Sequence, residues 1–235
     1  MFRNKKISVV IPCYKVSRTI NNVVTNLPDF IDKIYLISDA CPENSLNYVK
    51  FKSKKIIKKY RKKNGGVGAT VKDGYRLSIR DNNQITVRID GDDQMDPKLI
   101  KKFLNPIINK KAEFTKGNRF LNLSFINKMP FSRIIGNILF SLLGNILTKN
   151  LKIFDFLNGY TSIDNEALKK VLKKNLDDDY YFETSFIYQL NKLKIKILDI
   201  QIEAKYENEI SNINIFKTGS IILLKNIIYI LGIKK

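Results

Sequence analysis

Four short apolar, β-branched runs recur in the first part of the chain, at 7–11, 33–38, 55–60 and 85–89. The stretches between them carry helix-like spacing bounded by Pro, Gly, Asn and Asp, so the pattern predicts alternating strands and helices. Such a rhythm builds an α/β fold, a mostly parallel central sheet with helices on both faces. Ligands of these sheets bind beyond the carboxyl ends of the strands. The residues following each run are therefore the first candidates for function: Pro12-Cys13-Tyr14, Ser38-Asp39-Ala40-Cys41, Asn64-Gly65-Gly66-Val67-Gly68-Ala69 and Asp90-Gly91-Asp92-Asp93-Gln94. All four loops are expected on one rim.

Two later segments are apolar over a longer span. Phe131 to Leu151 carries few charges and is interrupted by Gly136, Gly144 and Asn145, and Ser220 to Ile233 is apolar apart from Lys225 and Asn226. At 14 residues the second falls short of the roughly 20 needed to cross a bilayer. Each suits either a core helix or, over 134–147 and 220–233, an element lying in a membrane interface. The opening residues Met1 to Lys6 lead into an apolar run too short for a secretory h-region, so no leader is expected. The reading is a catalytic domain over 1–212 followed by a short apolar helix over 213–235.

Charge adds a partner class. With 42 Lys and Arg against 22 Asp and Glu, the net charge of +20 suits a polyanion: nucleic acid, an anionic membrane surface or phosphorylated small molecules. Lys, Asn and Ile are used heavily throughout, as codon bias in an AT-rich genome would produce, so distribution matters more than the total. Between Asn44 and Lys72 stand ten Lys or Arg and no acid. Two cysteines, Cys13 and Cys41, and no histidine exclude a usual zinc site and a disulfide framework, and point to free thiols in a reducing cytoplasm. The missing histidine also removes Ser-His and Cys-His catalysis, leaving a carboxylate, Lys or Tyr for any general base.

Against that basic background, the acidic knot after the fourth run calls for chemistry. Asp90 and Asp92, separated by a glycine that lets the backbone turn, can converge on a hard divalent cation, with Gln94 as a further oxygen ligand of the kind Mg²⁺ or Mn²⁺ accepts. Asp39 can accept hydrogen bonds from a base or ribose, and the glycines at 65, 66 and 68 allow backbone N–H groups and a helix start to approach phosphates. Singly, each is an ordinary turn or cap. Together, on successive strand ends, they describe a nucleoside diphosphate site.

The order Val9-Val10-Ile11-Pro12-Cys13-Tyr14, Ile37-Ser38-Asp39, Asn64-x-Gly66 and Asp90-Gly91-Asp92 resembles the inverting glycosyltransferases of family 2. Asp90 to Pro97, Thr115-Lys116-Gly117-Asn118-Arg119-Phe120 and Asn158-Gly159-Tyr160-Thr161 look like the branch containing dolichyl-phosphate mannose synthases and related polyprenyl-phosphate sugar transferases. The resemblance implies a Rossmann-like, glycosyltransferase A-type fold. By position it implies that Asp90, Asp92 and Gln94 hold Mg²⁺ or Mn²⁺, with Asp92 catalytic. It also implies that Pro12, Tyr14, Asp39, Gly66, Gly68 and Asp90 bind the nucleotide. Arg119 and Arg133 would lie near the acceptor phosphate, with Glu183 as a second catalytic carboxylate beside the acceptor. Ser38, Cys41 and Asp93 depart from the family's usual acid, serine and glycine, and Asp155-Phe156-Leu157-Asn158-Gly159 departs from its Asp-Pro-Thr-x-Gly.

The expected reaction moves a hexose from a GDP- or UDP-sugar to a polyprenyl phosphate, in cell-surface glycan or glycolipid synthesis. A phosphate monoester with a second pKa of about 6 is mostly deprotonated at neutral pH, so that acceptor needs no base and Glu183→Gln should cost little. A sugar hydroxyl acceptor on a surface polysaccharide would need the carboxylate. The basic surplus then suits a peripheral enzyme on the inner face of the cytoplasmic membrane, with a separate membrane-spanning partner as one arrangement. Two other classes fit less well. A nucleotidyltransferase typically carries a Gly-rich, Arg-containing loop after its first strand, where this chain has Pro12-Cys13-Tyr14-Lys15-Val16. A nucleic-acid-binding protein would not set carboxylates at two strand ends of one rim, where they repel phosphates.

Overall fold

The computed structural model describes residues 1–121, 131–148, 155–203, 224–226 and 228. The four runs form β1 (Ile7–Cys13), β2 (Lys33–Ser38), β3 (Ile56–Tyr60) and β4 (Ile85–Arg88). All four are parallel. Helix α1 (Ile20–Thr25) lies between β1 and β2, and α2 (Val67–Arg80) between β3 and β4. There follow α3 (Ile100–Ile108), β5 (Phe114–Asn118), α4 (Phe131–Thr148), β6 (Thr161–Asp164), α5 (Asn165–Val171), α6 (Phe182–Lys192) and β7 (Ile197–Gln201). The strands form a seven-stranded sheet in the order β3-β2-β1-β4-β6-β5-β7. Among them β6 runs antiparallel to both its neighbours, and β5 pairs with β7 in parallel. The mostly parallel α/β architecture expected from the sequence is the one found.

Strand periodicity sorts the core into two layers. Ile7, Val9 and Ile11 of β1, with Ile34 and Leu36 of β2, pack with Ile20, Val23 and Val24 of α1 and Ile100, Phe103 and Leu104 of α3. The intervening Val10, Tyr35 and Ile37 point the other way, onto Val71 and Tyr75 of α2 and the inner sides of α5 and α6. Helix α2 lies close on the sheet: a Cβ at Gly74 would stand 2.3 Å from Val10 Cγ1. A buried polar network crosses the same layer. Ser78 Oγ lies 2.7 Å from Ser8 Oγ and 2.6 Å from Thr86 Oγ1, and Thr86 donates to Asn165 Oδ1 at 2.6 Å. With each member partnered, the network ties β1, α2, β4 and α5 in one register.

Pro12 lies inside β1 at no cost to the ladder. Val10 O accepts from Ile89 N–H on the β4 side, so Pro12, two residues on, faces that side beyond the last β1–β4 pair at Val10 and Arg88. The opposite edge, β3, exposes Lys58 and Tyr60, charge and bulk that discourage edge-to-edge pairing. The expected C-terminal segment 213–235 lies outside the described residues except for 224–226 and 228. There Lys225 Nζ reaches Asp177 Oδ1 at 2.6 Å and Asp179 Oδ2 at 2.7 Å, and Asn226 Oδ1 accepts from Tyr181 Oη at 2.7 Å.

Candidate active site

The rim at the carboxyl ends of β1 to β4 gathers the four expected loops. Asp39, at the end of β2, is 4% exposed. Its Oδ1 accepts from Gly65 N–H at 3.0 Å and its Oδ2 from Gly66 N–H at 2.9 Å, and Arg61 Nε stands 2.9 Å from Oδ1. These N–H groups are thus given to Asp39 and not turned toward a phosphate, which corrects the use expected for Gly66. Gly66 has φ +90°, and a Cβ there would meet Asp178 O at 2.5 Å; at Gly68 it would meet Asp177 O and Phe182 Cβ at 2.6 Å. Both glycines let α2 begin against the 177–182 loop. Arg61 also reaches Asp73 Oδ2 at 2.8 Å, and Lys59 the same oxygen at 3.2 Å, so part of the basic run is neutralised within the fold.

The acidic loop is held from several sides. Thr19 Oγ1 donates to Gly91 O at 2.6 Å, and Tyr160 Oη to Asp96 O at 3.0 Å. Tyr160 itself is buried in a stack on Phe103, ring centroids 4.1 Å apart. Asp92 Oδ1 accepts from Gln94 N–H at 3.1 Å. Asp93 has φ +64°, the left-handed conformation that explains why the related pattern has glycine there, and its carboxylate accepts from Asn22 Nδ2.

Beneath the loop lies a charged group the sequence reading passed over. Arg88, two residues before Asp90 on β4, is 3% exposed. Its Nε and Nη2 donate to Asp90 Oδ1 at 3.3 and 3.2 Å, and its Nη1 to Glu183 Oε1 at 2.6 Å. The guanidinium carbon stands 6.0 Å over the Phe182 ring. Burial would lower the Arg88 pKa, but Asp90 and Glu183 outweigh it and keep the group cationic. Burial pushes the Glu183 carboxyl up, and Arg88 opposes that push. An Arg in the middle of Ile85-Thr86-Val87-Arg88-Ile89 was the available signal, since a buried charge needs a partner. With Glu183 in an ion pair, Glu183→Gln would disturb Arg88 whatever the acceptor, so the expected use of that substitution to tell acceptors apart does not hold.

On the far side of β6, Arg119 follows β5. Asp155, fully buried, accepts from Arg119 Nε at 2.7 Å, from Arg119 Nη2 at 2.5 Å and from the Arg119 backbone N–H at 3.1 Å. Asp155 N–H in turn donates to Ser141 Oγ of α4 at 3.0 Å. Lys116, fully buried, stands 3.4 Å from Asp199 Oδ1 across the β5–β7 pair. Arg133 lies in the first turn of α4, and its side chain is outside the described residues. The structure therefore brings Pro12, Asp39, Asp90 and Asp92 to one rim, sets Glu183 beneath it and joins Arg119 to Asp155.

Two exposed tyrosines flank the opening: Tyr14, 44% exposed with Lys15 Nζ over its ring, and Tyr180, 47% exposed. Burial raises the Tyr180 pKa, with Glu183 and Tyr14 adding to the rise. Cys13 and Cys41 are free, buried thiols. Burial pushes Cys13 up. Burial would raise Cys41 too, yet hydrogen bonds from the Ser45 hydroxyl and the Lys15 N–H bring it below its ordinary value. An open groove of about 640 Å³, lined by residues 49–54 with Ile56 and Lys58, lies at the start of β3, away from the rim.

Among the described residues, no three His, Cys, Asp or Glu side chains cluster as a metal site. Asp90, Asp92 and Gln94 nevertheless fit Mg²⁺ or Mn²⁺ of the kind completed by substrate phosphates, because such ions need only one or two protein carboxylates. Arg88 occupies Asp90 Oδ1, while Asp90 Oδ2 faces Gly159, where any Cβ would intrude to 2.5 Å. A backbone without a side chain thus stands beside the second oxygen.

The family model described as glycosyl transferase family 2 matches residues 8–172. A UDP-N-acetylglucosamine–dolichyl-phosphate N-acetylglucosaminyltransferase of Methanococcus voltae is 28% identical over 211 residues, 82% of this chain and 83% of that protein. An uncharacterized protein of Methanocaldococcus jannaschii is 24% identical over 202 residues, 86% of this chain and 82% of its own. Among solved structures, glucosyl-3-phosphoglycerate synthase from Mycobacterium tuberculosis, in complex with Mn²⁺, UDP and glucosyl-3-phosphoglycerate, superposes with a TM-score of 0.75 at 14% identity. The superposition covers 99% of this chain and 82% of that one, a likeness of fold.

Proposed function

The chain belongs to glycosyl transferase family 2, and from that premise we propose that it transfers a hexose from a nucleoside diphosphate sugar to a polyprenyl phosphate, with inversion. The acidic loop after β4, facing Asp39 across one rim, is the observation that carries the donor side. Asp39, with Pro12 and Tyr14, would meet the base and ribose, while the Gly65–Gly68 turn acts by fixing Asp39. Asp90, Asp92 and Gln94 would hold Mg²⁺ or Mn²⁺, which when bound stabilises the negative charge that gathers on the leaving diphosphate. The Methanococcus voltae relative, named for a UDP-linked donor and a dolichyl phosphate acceptor, supports UDP over GDP and a lipid over a saccharide.

The acceptor side rests on charge and an apolar face. Arg119, fixed by Asp155, and Arg133, at the start of α4, would hold the acceptor phosphate. Its ionised oxygen attacks the anomeric carbon from the face opposite the diphosphate, and no protein base is required. Helix α4 exposes Ile135, Ile138, Leu139, Leu142 and Ile146, each between 44% and 60% accessible and spaced to form one stripe. That stripe would rest on the membrane that carries a polyprenyl phosphate, making the enzyme peripheral at the cytoplasmic face. No described helix is long and apolar enough to cross a membrane.

The test is transfer from a panel of UDP- and GDP-sugars, UDP-N-acetylglucosamine first, to a short polyprenyl phosphate with Mg²⁺ or Mn²⁺. Metal-dependent glycolipid formation that Asp92→Asn lowers by about 10²-fold or more supports the reading. Donor hydrolysis without glycolipid would move the acceptor to a sugar hydroxyl, and no turnover of any donor would refute the donor assignment.

A further inference from the structure

We propose that Arg88 is the positioning residue of the donor loop and that Glu183 acts as its counter-ion, not as a base; the inference rests on the donor reading above. Arg88 grips only Oδ1 of Asp90, at 3.2 and 3.3 Å, and leaves Oδ2 directed past Gly159. Its neighbours along the chain could not do this: Val87 and Ile89 are wholly buried in the apolar layer on the other face of the sheet, and Thr86 Oγ1 is bonded to Ser78 and Asn165. Glu183, anchored at the start of α6, holds the opposite end of the guanidinium at 2.6 Å. The two carboxylates therefore share one buried cation.

Sharing sets how strongly Arg88 binds Asp90. With Glu183 ionised, the guanidinium charge is divided, and Asp90 keeps enough negative charge on Oδ2 to bind a divalent cation. Without Glu183 the whole cation falls on Asp90 and competes with the metal. Lysine cannot replace Arg88, because a point charge cannot span two carboxylates in fixed directions as the planar fork does. Groups that orient a ligating side chain in this way commonly govern metal affinity by about 10–100-fold. Glu183 is an unsuitable base on geometry as well: its Oε1 is committed to Arg88 and its side chain is 9% exposed.

The experiment is Mn²⁺ titration without acceptor, in the presence of UDP and separately of GDP, following the electron paramagnetic resonance signal of free Mn²⁺. Glu183→Gln keeps the shape of the side chain, and the paired Arg88→Met with Glu183→Leu removes both charges so that neither is left buried alone. The expected result is a half-saturating Mn²⁺ concentration raised by about tenfold in both. Transfer lost in Glu183→Gln should also return as Mn²⁺ is raised. A pair serving stability alone would leave the doubly substituted protein with wild-type Mn²⁺ affinity, and that result overturns the proposal. A loss of kcat of about 10²–10⁴ in Glu183→Gln that no Mn²⁺ concentration restores would make Glu183 a base and overturn it too. Wild-type protein that takes up no Mn²⁺ with either nucleotide overturns both this inference and the donor site; altered transfer with unaltered Mn²⁺ affinity overturns the inference alone.

Discussion

Single residues in this site are set by their partners more than by their own chemistry, and Asp155 shows how. Burial alone would raise its carboxyl, but Arg119, with Lys116 and Asn158, holds it below its ordinary value near 3.8. A folded-state pKa lowered in this way contributes stability that is complete above the unfolded value and is lost as pH falls through the folded one. Asp155→Asn should therefore destabilise the protein at neutral pH, by up to the roughly 3–5 kcal/mol typical of breaking a buried pair. The gap from wild type should begin to narrow below about pH 4, where the unfolded carboxyl takes up its proton, and close as pH falls on through the lower folded value. Urea unfolding of both proteins across that range checks it, and a gap independent of pH would show that Asp155 is not ionised in the fold.

At the scale of elements, the junction of α2 with the 177–182 loop does the most to shape the donor side. Ala69 N–H donates to Asp178 O at 3.0 Å and Lys72 Nζ pairs with Asp178 Oδ1 at 2.6 Å, so the helix start and the loop move as one. Gly66→Ala adds a Cβ where φ is +90° and Asp178 O is 2.5 Å away. The expected cost is about 1–3 kcal/mol of stability, with weaker nucleotide binding because the Gly66 N–H shifts from Asp39. Calorimetric unfolding and UDP titration of the variant measure the two effects, and a variant that unfolds and binds as wild type would remove the turn from the site.

How much of this was legible follows from where apolar contrast survives. β1 to β4 are bounded by turn residues and could be read from their β-branched runs, and with them came the rim and its four loops. β5 and β6 could not. Thr115, Lys116 and Asn118 of β5, and Thr161 and Ser162 of β6, are buried polar residues, so neither strand carries an apolar alternation. The same holds inside the site. Asp90, Asp92 and Asp39 announced themselves as carboxylates at strand ends, whereas the links from Arg88 to Glu183, Arg61 to Asp73 and Arg119 to Asp155 join residues 95, 12 and 36 positions apart. Pairing over such separations is fixed by the sheet order, above all by β6 entering antiparallel beside β4, and no local pattern encodes it.

At the scale of the whole molecule, the charge of +20 divides into portions with different uses. Lys59 and Arg61 are neutralised by Asp73 and Asp39, and Lys72 by Asp178. Lys50, Lys52 and Lys54 are exposed before the start of β3, away from the rim, while Lys62 and Lys63 are exposed just after it, on the rim side. Of that run only the latter pair stands on the rim side, and on the proposed membrane reading each would add about 1 kcal/mol of attraction. Docking through the apolar stripe of α4 should therefore outlast the electrostatic part. Vesicle flotation should show binding to anionic bilayers that weakens with salt as the surface charges are screened, over a Debye length of about 10 Å at 0.1 M, and then levels off above zero. Replacing Ile138 and Leu142 together by Gln should abolish the salt-resistant remainder. Because both side chains are about half exposed, stability should change by only about 0.5 kcal/mol. Binding that vanishes entirely in high salt with α4 unaltered would assign the attachment to charge alone, and would leave the stripe on α4 without a lipid role.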